Sequence, residues 1–163
     1  MTGKGMALED WVMGPLTEAE AREVCTWRNP VPYEVYDYAD WETVAAAGWH
    51  ISLQDRREAE YVGFTDGNVL QAYGRITAME GYALLGIGLR PANCGQGMGA
   101  AVMLRLTALA AQRHPALQPA LEVRTFNIRA VRCYERCGFR ILRRYVRNTH
   151  KGPASFYFMV LEG

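Results

Sequence analysis

Gly95-Gln96-Gly97-Met98-Gly99 lies between an apolar, strand-like run at Tyr82–Leu89 and a long apolar, helix-like run at Gly99–Arg113. Glycine at alternate positions leaves the backbone of this junction without Cβ atoms. The first N–H groups of a helix have no partner inside it, and the helix dipole turns that end into an anion site. The stretch therefore reads as a cradle for a phosphate-bearing ligand.

The commoner nucleotide loops do not fit. A P-loop requires Lys and then Ser or Thr after its last glycine, and Ala100 and Ala101 follow Gly99. A dinucleotide fingerprint requires G-x-G-x-x-G, and the spacing here is Gly95-x-Gly97-x-Gly99. Glu122 falls near the place of a ribose-binding acid, but roughly 65 residues follow the loop, too few for the rest of a doubly wound sheet.

A second cluster lies downstream. Asn127-Ile128-Arg129-Ala130 leads to Tyr134 and then to Gly138-Phe139. Asn127 follows a strand-like run and is placed to cap a helix. Ala130 and Tyr134 are one turn apart on one face. Small Ala130 leaves room for a ligand, and Tyr134 offers it a phenol. Taken alone, a helical tyrosine is more often a packing residue than an acid.

Together with Leu89-Arg90-Pro91 and Cys94-Gly-Gln-Gly-Met-Gly99, these residues resemble the GNAT superfamily of N-acetyltransferases. The match covers Tyr82–Phe139 by motif and the rest of the chain by element order. Leu16-Thr-Glu-Ala19, Cys25-Thr-Trp-Arg28 and Pro32-Tyr-Glu-Val-Tyr36 resemble a branch that includes ribosomal-protein and small-amine acetyltransferases.

The resemblance implies one domain over residues 1–163 with an α/β fold. Its central, mostly antiparallel sheet would splay between strands 4 and 5, with helices on both faces. Acetyl-CoA would be the co-substrate. Its pantetheine would pair with the backbone of Ile87, Gly88 and Leu89. The loop Cys94, Gly95, Gln96, Gly97, Met98, Gly99 and Ala100 would hold the pyrophosphate, and Asn127, Ala130 and Tyr134 would line the arm. A deprotonated primary amine, on a small molecule or a protein N-terminus, would attack the acetyl carbonyl directly. The N–H of Leu89 would steady the oxyanion and Tyr134 would protonate the departing thiolate. Glu34, Tyr36, Trp41 and His150 are the acceptor-side candidates, Tyr36 and Trp41 through their ring faces. Core packing is an equal reading of Trp41.

Two departures from the family pattern stand out. Cys94 occupies the place of the usual Arg or Gln. Either the phosphates lose a partner there, or Arg90, Arg129 or Arg132 replaces it. A thiol near a helix N-terminus is also open to activation, with inert packing as the plainer reading. Second, strand 4 holds no carboxylate to act as base, although Glu80 just precedes it. Water, Glu34, Asp37 and His150 remain, each of which is also an ordinary surface residue. These two departures keep a noncatalytic acyl-CoA-binding or regulatory domain as the alternative, and Tyr134 argues against it.

Composition is that of ordinary globular chains, with half of the 163 residues hydrophobic and about a fifth charged. No apolar run approaches the roughly 20 residues of a membrane helix, and Met1–Asp10 lacks the features of a signal peptide. The expectation is a cytoplasmic protein with no membrane or nucleic-acid partner. Homodimerisation stays open. Cys25, Cys94, Cys133 and Cys137 form no CxxC pair, so free thiols and no metal site are expected. Charge is uneven: residues 1–82 carry fourteen acids and six bases, residues 121–163 nine bases and three acids. Such an arrangement would turn a basic half toward the CoA phosphates and the acidic, aromatic Tyr33–Trp41 segment toward an amine. Plain unevenness of the surface is the other reading.

The expected elements begin with a strand at Trp11–Leu16 and a helix from the capping box Thr17-Glu-Ala-Glu20 to about Arg28. Asp40 caps a second helix through Ala47. A short strand at His50–Leu53 and a polar stretch follow. Glu60–Thr65 and Val69–Thr77 form a hairpin about Asp66-Gly67-Asn68. Tyr82–Leu89 reads as a strand buried on both faces, Gly95–Arg113 as the main helix and Leu121–Phe126 as a strand. Asn127–Cys137 is a helix closed by Gly138, and Phe139–Val146 and Ser155–Leu161 are an antiparallel pair.

Overall fold

The computed structural model describes residues Asp10–Glu162; the N-terminal reading of Met1–Asp10 otherwise lies outside the described residues. The strands are β1 (Val12–Pro15), β2 (Tyr61–Asp66), β3 (Val69–Met79), β4 (Tyr82–Leu89), β5 (Gln118–Arg124), β6 (Phe139–Thr149) and β7 (Gly152–Leu161). The helices are α1 (Glu18–Val24), α2 (Trp41–Ala46), α3 (Gln54–Glu60), α4 (Met98–Arg113) and α5 (Ile128–Arg136). They make a mixed α/β fold whose helices flank a seven-stranded sheet of order β1-β2-β3-β4-β5-β7-β6. β4 and β5 run parallel, whereas β1–β2, β5–β7 and β6–β7 are antiparallel. The chain divides into two compact units, the first running to Gly74 with Gly88–Cys94 added, the second comprising Arg75–Ile87 and the chain from Gly95.

In the first unit, α1 starts at the capping box. The Thr17 hydroxyl accepts from the Glu20 N–H at 3.1 Å, and the Thr17 N–H donates to the Glu20 carboxylate at 3.0 Å. The helix stops at Val24, a turn before the expected Arg28. Backbone N–H groups of Thr26 and Trp27 close the last turn onto Glu23 O and Val24 O, the Thr26 hydroxyl also donates to Glu23 O, and beyond the helix Arg28 donates to Cys25 O and Trp27 O. Thr17→Ala is expected to lower stability by about 1 kcal/mol and the melting temperature by about 2–4 °C, as a thermal melt followed by circular dichroism would show.

Asp40 caps α2, its carboxylate accepting from the Thr43 N–H at 2.9 Å, and that bond holds its carboxyl below the usual range. The expected strand at His50–Leu53 is corrected: His50–Ser52 is a single 3-10 turn, and the polar stretch after it is α3. Helix-favouring side chains and i,i+4 pairs sustain α3, Gln54 to Glu58 at 3.1 Å and Arg56 to Glu60 at 3.2 Å. Its buried Arg57 donates to Ile51 O at 3.0 Å, so the polar helix closes the preceding turn. Leu16, Ala21, Val24, Trp27, Val44, Ile51, Tyr61 and Leu70 form the core of this unit.

In the second unit, β4 buries Ala83 and Leu85, while Tyr82 and Leu84 are half-buried and Gly86 is exposed. The second face is only partly covered, Tyr82 and Leu84 packing against Ala120, Phe158 and Val160, so the expected burial on both faces holds in part. Pairing of β4 with β5 is confined to Tyr82↔Gln118, Ala83↔Pro119 and Leu84↔Ala120. β5 continues beside β7 from Ala120↔Val160 to Arg124↔Phe156. The splay expected between strands 4 and 5 thus begins after Leu84. α4 buries Val102, Met103, Leu106 and Ala110 at helical spacing. The β6–β7 hairpin is longer than expected, reaching Thr149↔Gly152, so His150-Lys151 forms its tip. No described helix is long and apolar enough to cross a membrane, and no described cluster of His, Cys, Asp and Glu could hold a metal.

Candidate active site

The glycine stretch forms a turn and the start of α4. Gly95 and Gly97 have φ of 78° and 79°, a left-handed backbone that costs an L side chain about 1–2 kcal/mol. Gly97 is the N-cap residue and supplies no side-chain hydrogen bond. The helix begins at Met98, three residues later than expected, because a left-handed residue cannot continue it. Gly95, Gln96 and Gly97 are exposed, and Met98, Gly99 and Ala100 are half-buried.

α5 lies against α4 in the same unit. Asn127 is buried and caps α5, its side-chain oxygen accepting from the Ala130 N–H at 3.2 Å. Ala130 and Tyr134 follow it, both half-buried. Cys137 donates to Ala100 O at 3.6 Å, joining α5 to the first turn of α4. Burial raises the thiol pKa of Cys133; at Cys137 burial first and Cys133 second push it up to about 11. Both are protonated packing residues at neutral pH.

Among the three arginines weighed as substitutes at Cys94, the structure separates two. Arg129, on α5, brings a guanidinium nitrogen to 3.6 Å from where a Gly95 β-carbon would stand. Arg90 is engaged in the first unit. Its Nε donates to Leu70 O at 2.8 Å, its guanidinium pairs with Glu23 and lies 5.3 Å from the Trp27 ring centre. Arg132 is exposed on α5.

Much of the basic excess of residues 121–163 is engaged on its own sheet. Arg143 lies over Phe158 at 4.4 Å and Arg147 over Phe156 at 4.3 Å. Arg147 also grips Glu122 through two hydrogen bonds, and Arg140 pairs with Glu162 at 2.6 Å. Tyr145 donates to Glu122; burial and that carboxylate hold its phenol well above the ordinary range. The count of basic residues therefore overstates the charge left for a ligand.

On the acceptor side, Gly88 and Leu89 end β4, and a 3-10 turn at Pro91–Asn93 leads to Cys94. Asn93 ties this turn to Gln71 on β3 at 2.8 Å. Glu34 and Tyr36 are exposed on the turn Tyr33–Tyr36. Asp37 accepts from both the backbone and side-chain N–H groups of Asn29, at 3.0 and 2.8 Å. Trp41 packs on the core, and the guanidinium of Arg22 already covers its ring at 4.8 Å. His150 is exposed at the β6–β7 tip. Glu80 sits in the β3–β4 turn, at the opposite end of β4 from Leu89. Tyr73, absent from the sequence-based set, stands on β3 against Gly88. Its signal was the glycine inside an apolar strand, which marks a close approach by another group.

A model of the Acetyltransferase (GNAT) family matches residues 17–139. The chain belongs to that family. It is an acetyltransferase with the fold that the two motifs implied. A search of curated proteins finds no match. Among solved structures, the ribosomal-protein-S18-alanine N-acetyltransferase of Escherichia coli shares 21% identity at a TM-score of 0.64, covering 93% of this chain and 92% of that one. A chimera of the Vibrio cholerae spermidine N-acetyltransferase SpeG and hSSAT shares 18% at 0.74, covering 93% and 95%. The structure of yncA from Salmonella typhimurium with its cofactor acetyl-CoA shares 13% at 0.67 and covers 94% of both. At such identities the likeness is one of fold.

Proposed function

We propose that this acetyltransferase moves the acetyl group of acetyl-CoA to a primary amine by direct attack. The observation that carries the reading is the turn Gly95–Gly97. Its left-handed glycines open a 16-residue helix whose first N–H groups receive no side-chain cap. An uncapped helix start suits a pyrophosphate, and Arg129 supplies the cation missing at Cys94. The residues thus fit the group.

Backbone N–H groups from Gly95 to Ala100 hold the pyrophosphate. β4 beyond Leu84 lacks β5 as a partner, which leaves backbone polar groups for the pantetheine amides at Ile87–Leu89. Asn127 and Ala130 shape the α5 side. The Leu89 N–H donates to the thioester carbonyl as charge develops there. Tyr134 gives its proton to the leaving sulfur. The acceptor is a small-molecule amine or a protein N-terminus, approached through Glu34, Tyr36 and His150; the Trp41 ring, covered by Arg22, is left to packing. Water takes up its proton, with Glu34 or His150 as a relay. An α-amine, with a pKa of about 8 against about 10.4 for lysine, needs the least help.

Titration calorimetry with acetyl-CoA, then thiol release over a panel of spermidine, an alanine-terminated peptide and free lysine, tests this reading. Binding with turnover on one amine supports it; no binding overturns it. Arg129→Ala is expected to weaken acetyl-CoA about 5- to 10-fold with kcat within about twofold, the size of one exposed charge-assisted contact. The loss should shrink as salt rises. An unchanged dissociation constant would remove Arg129 from the phosphate site.

A further inference from the structure

Tyr73 occupies the side-chain space of Gly88. A β-carbon at Gly88 would stand 2.6 Å from Cζ and 2.8 Å from Oη of Tyr73, nearer than real β-carbons come. The ring packs against two others. Its centre lies 6.2 Å from that of Trp27 and 6.3 Å from that of Tyr61, and it packs against the core of the first unit. A ring on two torsions packed against two other rings and the core has little room to swing away.

Gly88 immediately precedes Leu89. In the reading above, which this inference rests on, the Leu89 N–H holds the thioester carbonyl. That N–H lies two covalent bonds from the Gly88 Cα, roughly 2.4 Å. A carbonyl oxygen held at about 2.9 Å from the nitrogen brings the alkyl group of the thioester beside the Gly88–Leu89 peptide. A methyl group needs no further depth. A propionyl or butyryl chain does, and beside Gly88 that depth is filled by Tyr73.

We propose that Tyr73 sets the acyl length, confining the enzyme to acetyl thioesters by the bulk of its ring. Gly88 and Tyr73 then act as one unit: the strand forgoes a side chain so that β3 can supply a rigid wall. The role belongs to the ring and not to the hydroxyl, so Tyr73→Phe preserves it and Tyr73→Leu or Tyr73→Ala removes it.

The test is calorimetric titration of the full chain with acetyl-, propionyl- and butyryl-CoA. The wild type is expected to bind butyryl-CoA at least about tenfold more weakly than acetyl-CoA, as one or two misplaced methylenes cost. Tyr73→Leu and Tyr73→Ala should bring the ratio to within about twofold of unity, and Tyr73→Phe should keep the wild-type ratio. Melting curves show whether the variants fold. The leucine variant keeps an apolar contact with Trp27 and Tyr61 should the alanine one unfold. Equal wild-type binding of all three thioesters overturns the proposal without any variant. So does a ratio unmoved by loss of the ring, or one moved equally by Tyr73→Phe. Failure of the wild type to bind acetyl-CoA at all would instead overturn the cofactor reading.

Discussion

Tyr134→Phe is expected to lower kcat by about 10²–10⁴-fold, the range for losing a positioned acid, while the acetyl-CoA dissociation constant stays within about twofold. The substitution removes one hydroxyl and keeps the ring. α5 does not depend on that hydroxyl for its start or its end. The Asn127 side chain caps the first turn at 3.2 Å, and Gly138, at φ of 98°, carries the chain out of the helix. The ring therefore keeps its half-buried place, and the fold tolerates the change. What is lost is a proton donor for the departing thiolate, whose need arises as the carbon–sulfur bond breaks and not when the thioester binds. Such a group acts on the transition state alone, which lowers kcat and kcat/KM together. The measurement is steady-state thiol release with the best amine of the panel, beside a calorimetric titration of the same variant. Unchanged turnover would remove Tyr134 as the acid. Lost binding with lost turnover would make it a residue of the cofactor arm.

The parts of the fold legible in the sequence are those fixed by local chemistry. The Thr17–Glu20 capping box, the Asp40 cap, the Gly67 turn and the Gly138 exit each depend on one or two side chains meeting neighbouring backbone. Nothing distant has to be known. α3 was illegible for the opposite reason. Gln54-Asp-Arg-Arg-Glu-Ala-Glu60 has no apolar stripe, so hydrophobic periodicity is silent, and the helix rests on i,i+4 pairs and a buried arginine. β4 looked doubly buried because its residues are apolar. Yet its pairing with β5 ends after three positions, and Gly86 is left exposed beyond them.

The candidate site divides along the same line. The glycine turn and the α5 motif are contiguous in sequence, so their geometry could be anticipated. Arg129 and Arg90 could not be told apart, because their difference lies in long-range partners: a glycine turn for one, Glu23 and Trp27 for the other. Tyr73 was illegible for the same reason. Its meaning arises only when register sets it against Gly88, fifteen positions along the chain.

Gly97→Val is expected to weaken acetyl-CoA binding by at least about 100-fold while the protein still folds. A β-carbon at Gly97 meets nothing within 4 Å, so the first added atom stands in open space. The difficulty is conformational. Gly97 sits at φ of 79°, which a β-branched residue essentially does not adopt. The strain, about 1–2 kcal/mol for an ordinary L residue and more for valine, is relieved by letting the exposed turn change shape. A changed turn no longer aims the N–H groups of Gly95–Ala100 at one point, and a pyrophosphate that needs several of them at once loses most of its grip. A graded series separates this cause from mere bulk. Asparagine tolerates the left-handed region, so Gly97→Asn should cost least, Gly97→Ala more and Gly97→Val most, although asparagine is larger than alanine. Calorimetry across the three variants, with melting curves to show that α4 persists, reads the order directly. An order following side-chain size would point to obstruction of the site. A normal titration for Gly97→Val would sink the assignment of the turn to the pyrophosphate.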